Sequence, residues 1–227
     1  MRNIGIALAV TTVILIAFFY GFYTLGSQAS KSTLSQAEGL KVGDTFTYNL
    51  TGSTVLGSGD TVIPAEFYQY NETNYFRVTV TEVNGTQVDL STTWAFYNGT
   101  QVTRPQILDL SNGGEADQNG FFAVYSPDLK VNALIHPKGD DGLIVNSTST
   151  QEFANSSRTM NYWSIEKEFI DSSDPTANTM RNEFMGVYFD EQTGILYKLT
   201  HIEFYTNPEI ELTITWQLIS SNVWVVQ

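Results

Sequence analysis

The sequence contains no cysteine, and basic residues are scarce in it. Without cysteine the chain can form no disulfide framework and has no thiol that could carry a lipid. The 11 Lys and Arg residues stand against 24 Asp and Glu residues, which gives a formal net charge of -13. A surface this acidic repels the phosphates of nucleic acids, so we expect no nucleic acid partner.

Charge is also absent from residues 4–25, which are almost wholly apolar. About 20 apolar residues in a helix cover the roughly 30 Å of bilayer hydrocarbon. Arg2 precedes this tract and Lys31 is the next basic residue, so the amino terminus is expected in the cytoplasm and the rest of the chain outside. A cleaved signal peptide ending near Ser27-Gln28-Ala29 is the alternative, although its apolar core is usually only about 7–15 residues long.

These features predict a single-pass protein of the cell membrane with its domain on the extracellular face. The membrane is then a partner through residues 4–25. We expect residues 1–25 to be a membrane anchor or signal segment, residues 26–39 a polar stalk, and residues 40–227 one extracellular β domain.

Six Asn-x-Ser/Thr sequons agree with this location, because N-glycans are added to exported chains. Most of the six lie at predicted turns or strand edges, where a glycan can be accommodated. The candidate glycosylation sites are Asn49, Asn71, Asn84, Asn98, Asn146 and Asn155.

Alternation of apolar and polar residues predicts strands through most of the domain. Thr45–Leu50 alternates strictly, with Phe46, Tyr48 and Leu50 on one face. Asn84-Gly85 stands between two alternating segments, Tyr75–Val83 and Thr86–Trp94, and predicts a type I′ hairpin turn with positive φ at both positions. Asn98-Gly99 is predicted to return the chain into Thr100–Thr103. Further strands are predicted at Val62–Tyr70, Leu143–Phe153, Arg158–Ile170, Phe184–Phe189, Ile195–Tyr205 and Ile210–Ile219.

Helical signals are few and lie in mid-chain. Pro105–Leu110 is predicted as one helical turn. Ser126 and Pro127 form an N-cap and first-turn pair that predicts a short helix through Ile135. The expected fold is therefore mostly β, with about nine strands in a single large curved antiparallel sheet or half-barrel and one or two short helices, preceded by the transmembrane helix.

Two segments carry a resemblance to known proteins. Leu40-Lys41-Val42-Gly43-Asp44, which leads into an aromatic strand, and Val187–Lys198 resemble segments of uncharacterised archaeal surface proteins that have an amino-terminal anchor and many sequons. Val187–Lys198 is also similar to the hairpin of LolA-like lipoprotein carriers that places an aromatic residue and an acid before Thr-Gly. The resemblance implies a half-barrel sheet around an apolar cavity and transfers no functional residue.

Histidine occurs only at His136 and His201. A zinc site would need carboxylates from unrelated segments, so we expect structural or surface histidines and no metal site. The sequence has no Gly-x-Ser-x-Gly nucleophile motif either. Glu115–Gly120 resembles the start of a calcium loop but lacks the later acid, which favours an ordinary polar loop.

Acidic pairs occur at Asp140-Asp141, Glu166/Glu168 and Asp190-Glu191. Glu166 and Glu168 share a strand face beside aromatic residues, as the two carboxyls of a glycosidase cleft would. Solvated strand faces have the same pattern and are the preferred interpretation. The tryptophans, which would line a hydrophobic core or else a lipid or glycan groove, are Trp94, Trp163, Trp216 and Trp224.

We therefore expect no enzyme activity, no catalytic residue and no cofactor. The leading hypothesis is a membrane-anchored extracellular β domain that acts as a non-catalytic binding or cell-surface structural protein. A LolA-like carrier of a lipid or other apolar ligand is the alternative, and an exported glycan hydrolase is a third. Lipid and glycan are the ligand classes left open, and the sequence specifies no protein partner.

Overall fold

The computed structural model describes residues 39–56, 65–114, 123–154, 156–170, 180–206 and 209–226. The predicted anchor at residues 4–25 and most of the predicted stalk lie outside these ranges, as does Glu115–Gly120. Within these ranges, no helix combines the length and the apolar character that crossing a membrane requires.

The described chain is mostly β, and its strands form one antiparallel sheet of 9 strands. The elements, with one helix among them, are β1 (Thr45–Leu56), α1 (Ala65–Asn71), β2 (Thr73–Asn84), β3 (Gln87–Phe96), β4 (Gln101–Asp109), β5 (Ser147–Phe153), β6 (Ser156–Ile170), β7 (Met180–Asp190), β8 (Leu196–Thr206) and β9 (Glu209–Ser221). The mostly-β antiparallel prediction is confirmed.

The strand order is β4-β3-β2-β1-β9-β8-β7-β6-β5. Two meanders, β1 to β4 and β5 to β9, therefore meet where the first strand pairs with the last. Within the described residues β4 and β5 are the two edges, so the sheet is not closed. We call the end of the sheet where β1 begins the near end and the end where β1 finishes the far end.

The β2–β3 hairpin confirms the strongest local signal in the sequence but corrects its turn. Asn84 pairs with Gln87, so the two loop residues are Gly85 and Thr86. Gly85 has φ 61°, whereas Asn84 is not among the residues with positive φ. A positive φ at the first loop position alone is the pattern of a type II′ turn, and the type I′ prediction is wrong.

The predicted strand Val62–Tyr70 is wrong over its described part, because Ala65–Asn71 is helical. Phe67 and Tyr70 lie three residues apart and so share one helix face, with ring centroids 6.3 Å apart. The Phe67 ring packs against Gly52, where a Cβ would lie 2.9 Å from ring carbons. The aromatic content suggested a strand, but docking of one helix face onto β1 determines the structure.

Both mid-chain helical predictions are also wrong. Pro105 lies within β4 opposite Ser91, at an edge of the described sheet, where proline is tolerated. In the segment 126–135, Asp128 and Asn132 have φ of 58° and 69°, values that end a right-handed helix. Their backbone N–H groups donate instead to the carbonyls of Glu191 and Val145.

The hydrophobic core lies on one face of the sheet, the core face, which carries Phe46, Tyr48 and Leu50 of β1. The opposite side is the outer face. The segment 123–145 supplies further buried side chains to the same core, among them Tyr125, whose ring stacks on Phe189 at 4.6 Å. Three of the predicted core tryptophans are buried, and Trp94 packs against this core while half-buried.

Candidate functional site

A cluster of ionisable side chains lies on the core face near the far end. Glu183 of β7 is directly opposite Glu203 of β8, and His201 precedes Glu203 by two residues on the same strand. Side chains at alternate strand positions share a face, so these three lie on the side that carries Val187 and Leu199 of the core. We call Glu183, His201 and Glu203 the His201 cluster.

The three side chains point at a common place. His201 Nε2 lies 2.8 Å from Glu183 Oε1 and 3.8 Å from Glu203 Oε1. The side chains are 19–25% exposed, with Glu183 at 23%. The cluster is therefore partly desolvated, which strengthens its electrostatic interactions, yet it remains open to small solutes.

Two further side chains hold the outer oxygens of the carboxylates. Tyr205 OH donates a hydrogen bond to Glu203 Oε2 at 2.7 Å. Arg181 Nη2 lies 3.9 Å from Glu183 Oε2, and its guanidinium covers the Phe169 ring at 4.9 Å. Burial, with the hydrogen bond to Glu203 and its charge, raises the pKa of Tyr205 to about 12, so its hydroxyl stays a donor at neutral pH.

The cluster adjoins apolar side chains that are mostly buried. Ile214 is paired with His201 and Leu212 with Glu203, and Phe67 of α1 packs against Leu212 and Ile210. On this face the sheet thus changes from a buried aromatic core to a charged group near the strand ends.

The donor atoms of the His201 cluster lie within 4.8 Å of one another, close enough to hold one metal ion.

The sequon asparagines are not brought together into a site. Asn71, Asn84, Asn98 and Asn146 are exposed, and Asn49 is half-buried on the outer face of β1. Asn155 lies outside the described residues. Asn71 is held by the backbone of Gly52, which donates to its Oδ1 and accepts from its Nδ2, both at 2.8 Å.

The other histidine is structural in its contacts. His136 is 5% exposed, and its Nδ1 lies 2.5 Å from Asp141 Oδ2. Its ring fills the space beside Gly113, where a Cβ would approach within 2.8 Å. These contacts are those of a structural histidine, whereas His201 faces the two carboxylates of the His201 cluster.

The remaining acidic pairs divide into a solvated and a structural pair. Glu166 and Glu168 are exposed on the outer face of β6. Asp190 is buried and accepts two hydrogen bonds from Arg158, and Glu191 forms an ion pair with Lys130. Neither pair encloses a cleft between its own carboxylates.

Sequence reasoning missed the His201 cluster because its members come from two strands. The sequence contains part of the pattern. His201 and Glu203 lie two residues apart on one strand, and Arg181 and Glu183 lie two residues apart on another. Only the β7–β8 register, which places Glu183 against Glu203, converts these patterns into one site.

A comparison with known protein families finds none that matches the chain. A comparison with curated proteins finds no relative either. The candidate site must therefore be interpreted from its own chemistry.

Proposed function

We propose that the chain is a membrane-anchored extracellular β domain that acts by binding or as a structural element of the cell surface, without catalysis. The observation that carries the proposal is the position of the sequons. Of the five sequon asparagines in the described ranges, four are exposed, at the end of α1, at the end of β2, in the β3–β4 connection and immediately before β5. An exported domain carries glycans at such positions without disturbing its core.

The contacts of Asn71 are compatible with a glycan. The side-chain amide nitrogen has two N–H groups, and one of them donates to Gly52 O. Glycosylation replaces one N–H, so the hydrogen bond that docks α1 on β1 can persist. Asn84 is exposed at the end of β2. Asn98 is exposed within the β3–β4 connection, and its Oδ1 accepts hydrogen bonds from Thr100 N and Oγ1, which a glycan on Nδ2 leaves in place.

We further propose that the sheet is curved around its core, as in a half-barrel. Phe76 of β2 and Trp216 of β9 belong to one cluster of buried residues, and their ring centroids are 4.7 Å apart although β1 lies between the two strands. In a flat sheet, strands two positions apart are separated by roughly 9.6 Å, so the two side chains converge over β1 as they would on a concave face. The segment 123–145 packs into the same cluster.

A carrier of an apolar ligand receives less support than a binding domain. The aromatic side chains that would line a cavity contact one another: Phe76 and Trp216 have ring centroids 4.7 Å apart, and Tyr70 lies 5.9 Å from Trp94. Such contacts are typical of a packed core. The exposed Glu166 and Glu168, on the other face, give a glycan hydrolase no enclosed site.

The proposal is tested on protein purified from its native host by mass spectrometry of proteolytic peptides. Glycans are expected at Asn84 and Asn98, and the mass increments should disappear one at a time in Asn84→Gln and Asn98→Gln. Asn74→Gln is the matched control, because Asn74 is exposed on β2 but is followed by Tyr and Phe and so forms no sequon. Unmodified peptides at all six sequons, together with resistance of the domain to protease added to intact cells, would overturn the proposal.

A further inference from the structure

We propose that Glu183, His201 and Glu203 bind one divalent transition-metal ion of the Zn²⁺ class, with at least one coordination position left for water or an anionic ligand. This inference is independent of the proposed function, because it rests only on the local geometry of β7 and β8. It departs from the sequence-based expectation that the chain has no metal site.

The donor atoms are already arranged around one point. Zn²⁺ bound to imidazole nitrogen and carboxylate oxygen at about 2.1 Å has tetrahedral ligands about 3.4 Å apart. The separations from His201 Nε2 to the two Oε1 atoms are 2.8 and 3.8 Å. The ion would replace the proton that His201 and Glu183 share in their hydrogen bond. Only small side-chain rotations are needed, because β-strands fix the backbone beneath each ligand.

In each of the two glutamates, one carboxylate oxygen contacts a neighbouring side chain and the other faces His201. Tyr205 holds Glu203 Oε2, and Arg181 faces Glu183 Oε2. The Oε1 atom of each glutamate is therefore turned towards His201 Nε2. Metal sites use outer hydrogen bonds such as the one from Tyr205 to orient their ligands, whereas Arg181, at 3.9 Å, contributes its charge without a hydrogen bond.

The pairing of two glutamates across β7 and β8 also favours a bound cation. Glu183 and Glu203 are directly opposite each other, and like charges in that position are destabilising. On the same face Arg181 offsets part of the charge, and Lys167, paired with Glu183, is exposed. A dication between the carboxylates would offset the two negative charges where they face each other.

The ligand set selects the class of metal. An imidazole nitrogen with two carboxylate oxygens suits Zn²⁺, Mn²⁺ or Fe²⁺, whereas Ca²⁺ and Mg²⁺ prefer oxygen alone. Three protein ligands leave an open position, as in sites where the metal holds water. The partial exposure of the cluster gives that position access to solvent.

The experiment uses the full chain in detergent, stripped of metal with a chelator and titrated with Zn²⁺ by calorimetry and equilibrium dialysis. We expect one Zn²⁺ per chain, with at least tenfold weaker binding in Glu183→Gln, His201→Gln and Glu203→Gln. Glu166→Gln, an exposed carboxylate on the outer face of β6, is the matched control and should bind as the wild type does. Co²⁺ should give visible absorption bands that Zn²⁺ abolishes.

Two variants separate a metal site from a hydrogen-bonded cluster that has no metal. Arg181→Gln removes a positive charge next to the ligands and should tighten Zn²⁺ binding. Tyr205→Phe frees an outer oxygen and should weaken binding about 10-fold. Circular dichroism and thermal melts without metal verify that each variant is folded. Absence of Zn²⁺ binding in the folded wild type, or binding that survives His201→Gln, would overturn the proposal.

Discussion

The ion pair between Arg158 and Asp190 gives the sharpest test of how the sheet is held together. Arg158 Nε and Nη2 donate to Asp190 Oδ1 and Oδ2, both at 2.7 Å. Thr193 adds its backbone N–H at 2.8 Å and its hydroxyl at 2.6 Å, both to Oδ2. The Asp190 side chain is 1% exposed, and the guanidinium of Arg158 lies over the Trp224 ring at 4.4 Å.

Replacing Arg158 with Ala leaves the Asp190 carboxylate buried without its cation. Removing one partner of a buried ion pair destabilises a protein by about 3–5 kcal/mol. Total stabilities are about 5–15 kcal/mol, so the variant should lose a large fraction of its free energy of unfolding. For a domain of about 200 residues each kcal/mol lowers Tm by about 2–4 °C.

The assay is urea unfolding of the full chain in detergent, followed by tryptophan fluorescence. Arg104→Ala is the matched control, because Arg104 is exposed on the edge strand β4, and its free energy of unfolding should change by less than about 0.5 kcal/mol. Arg158→Lys should fall between wild type and Arg158→Ala, since lysine keeps the charge but not the two parallel hydrogen bonds. A free energy of unfolding for Arg158→Ala within about 1 kcal/mol of wild type would refute the reasoning.

Three further changes test other contacts. Gly194→Ala should destabilise the domain by more than about 1 kcal/mol in urea unfolding, because Gly194 has φ 74° and a Cβ would lie 1.9 Å from Tyr125 O; a neutral effect would contradict this. Phe67→Ala should lower the free energy of unfolding by about 3–5 kcal/mol in the same assay, because the ring is 4% exposed and fills the space beside Gly52. An unchanged urea midpoint would show that α1 does not dock there. The pKa of Tyr205 is raised from 10.0 to about 12, so its contribution is complete below pH 10 and is lost as the pH rises towards 12. Between pH 10 and pH 12 the free energy of unfolding should therefore fall less steeply in Tyr205→Phe than in wild type. Equal slopes for the two proteins would contradict this prediction.

Much of the fold could be predicted because alternation of apolar and polar residues directly indicates a half-buried strand. The segment of β1 from Phe46 to Leu50 was recognisable from its own residues, as was the hairpin at Gly85. Each of these depends on a few neighbouring residues, and glycines at positive φ mark the turns.

The errors occur where distant contacts override local preference. Phe67 and Tyr70 have high strand propensity, yet docking beside Gly52 makes their segment a helix. Pro105–Leu110 was predicted as one helical turn, but Pro105 lies within β4, at a sheet edge where proline is tolerated. Ser126 and Pro127 predicted a helix that the hydrogen bond from Asp128 N to Glu191 O replaces with a turn.

The candidate site was beyond sequence reasoning for a related cause. His201 was recognised as one of 2 histidines, but its partner Glu183 lies on another strand. A shift of one residue in the β7–β8 register would move Glu183 to the other face relative to His201. Cross-strand sites of this kind require the pairing, which the sequence alone does not specify.

The central claim is that the described domain lies outside the cell, and surface labelling of lysines tests it most directly. Lys41 and Lys167 are exposed, on the β1 approach and on β6, and a membrane-impermeant amine reagent should reach them. Peptides containing these lysines should be labelled equally in intact and in lysed cells. Labelling of Lys41 and Lys167 only after lysis would contradict it.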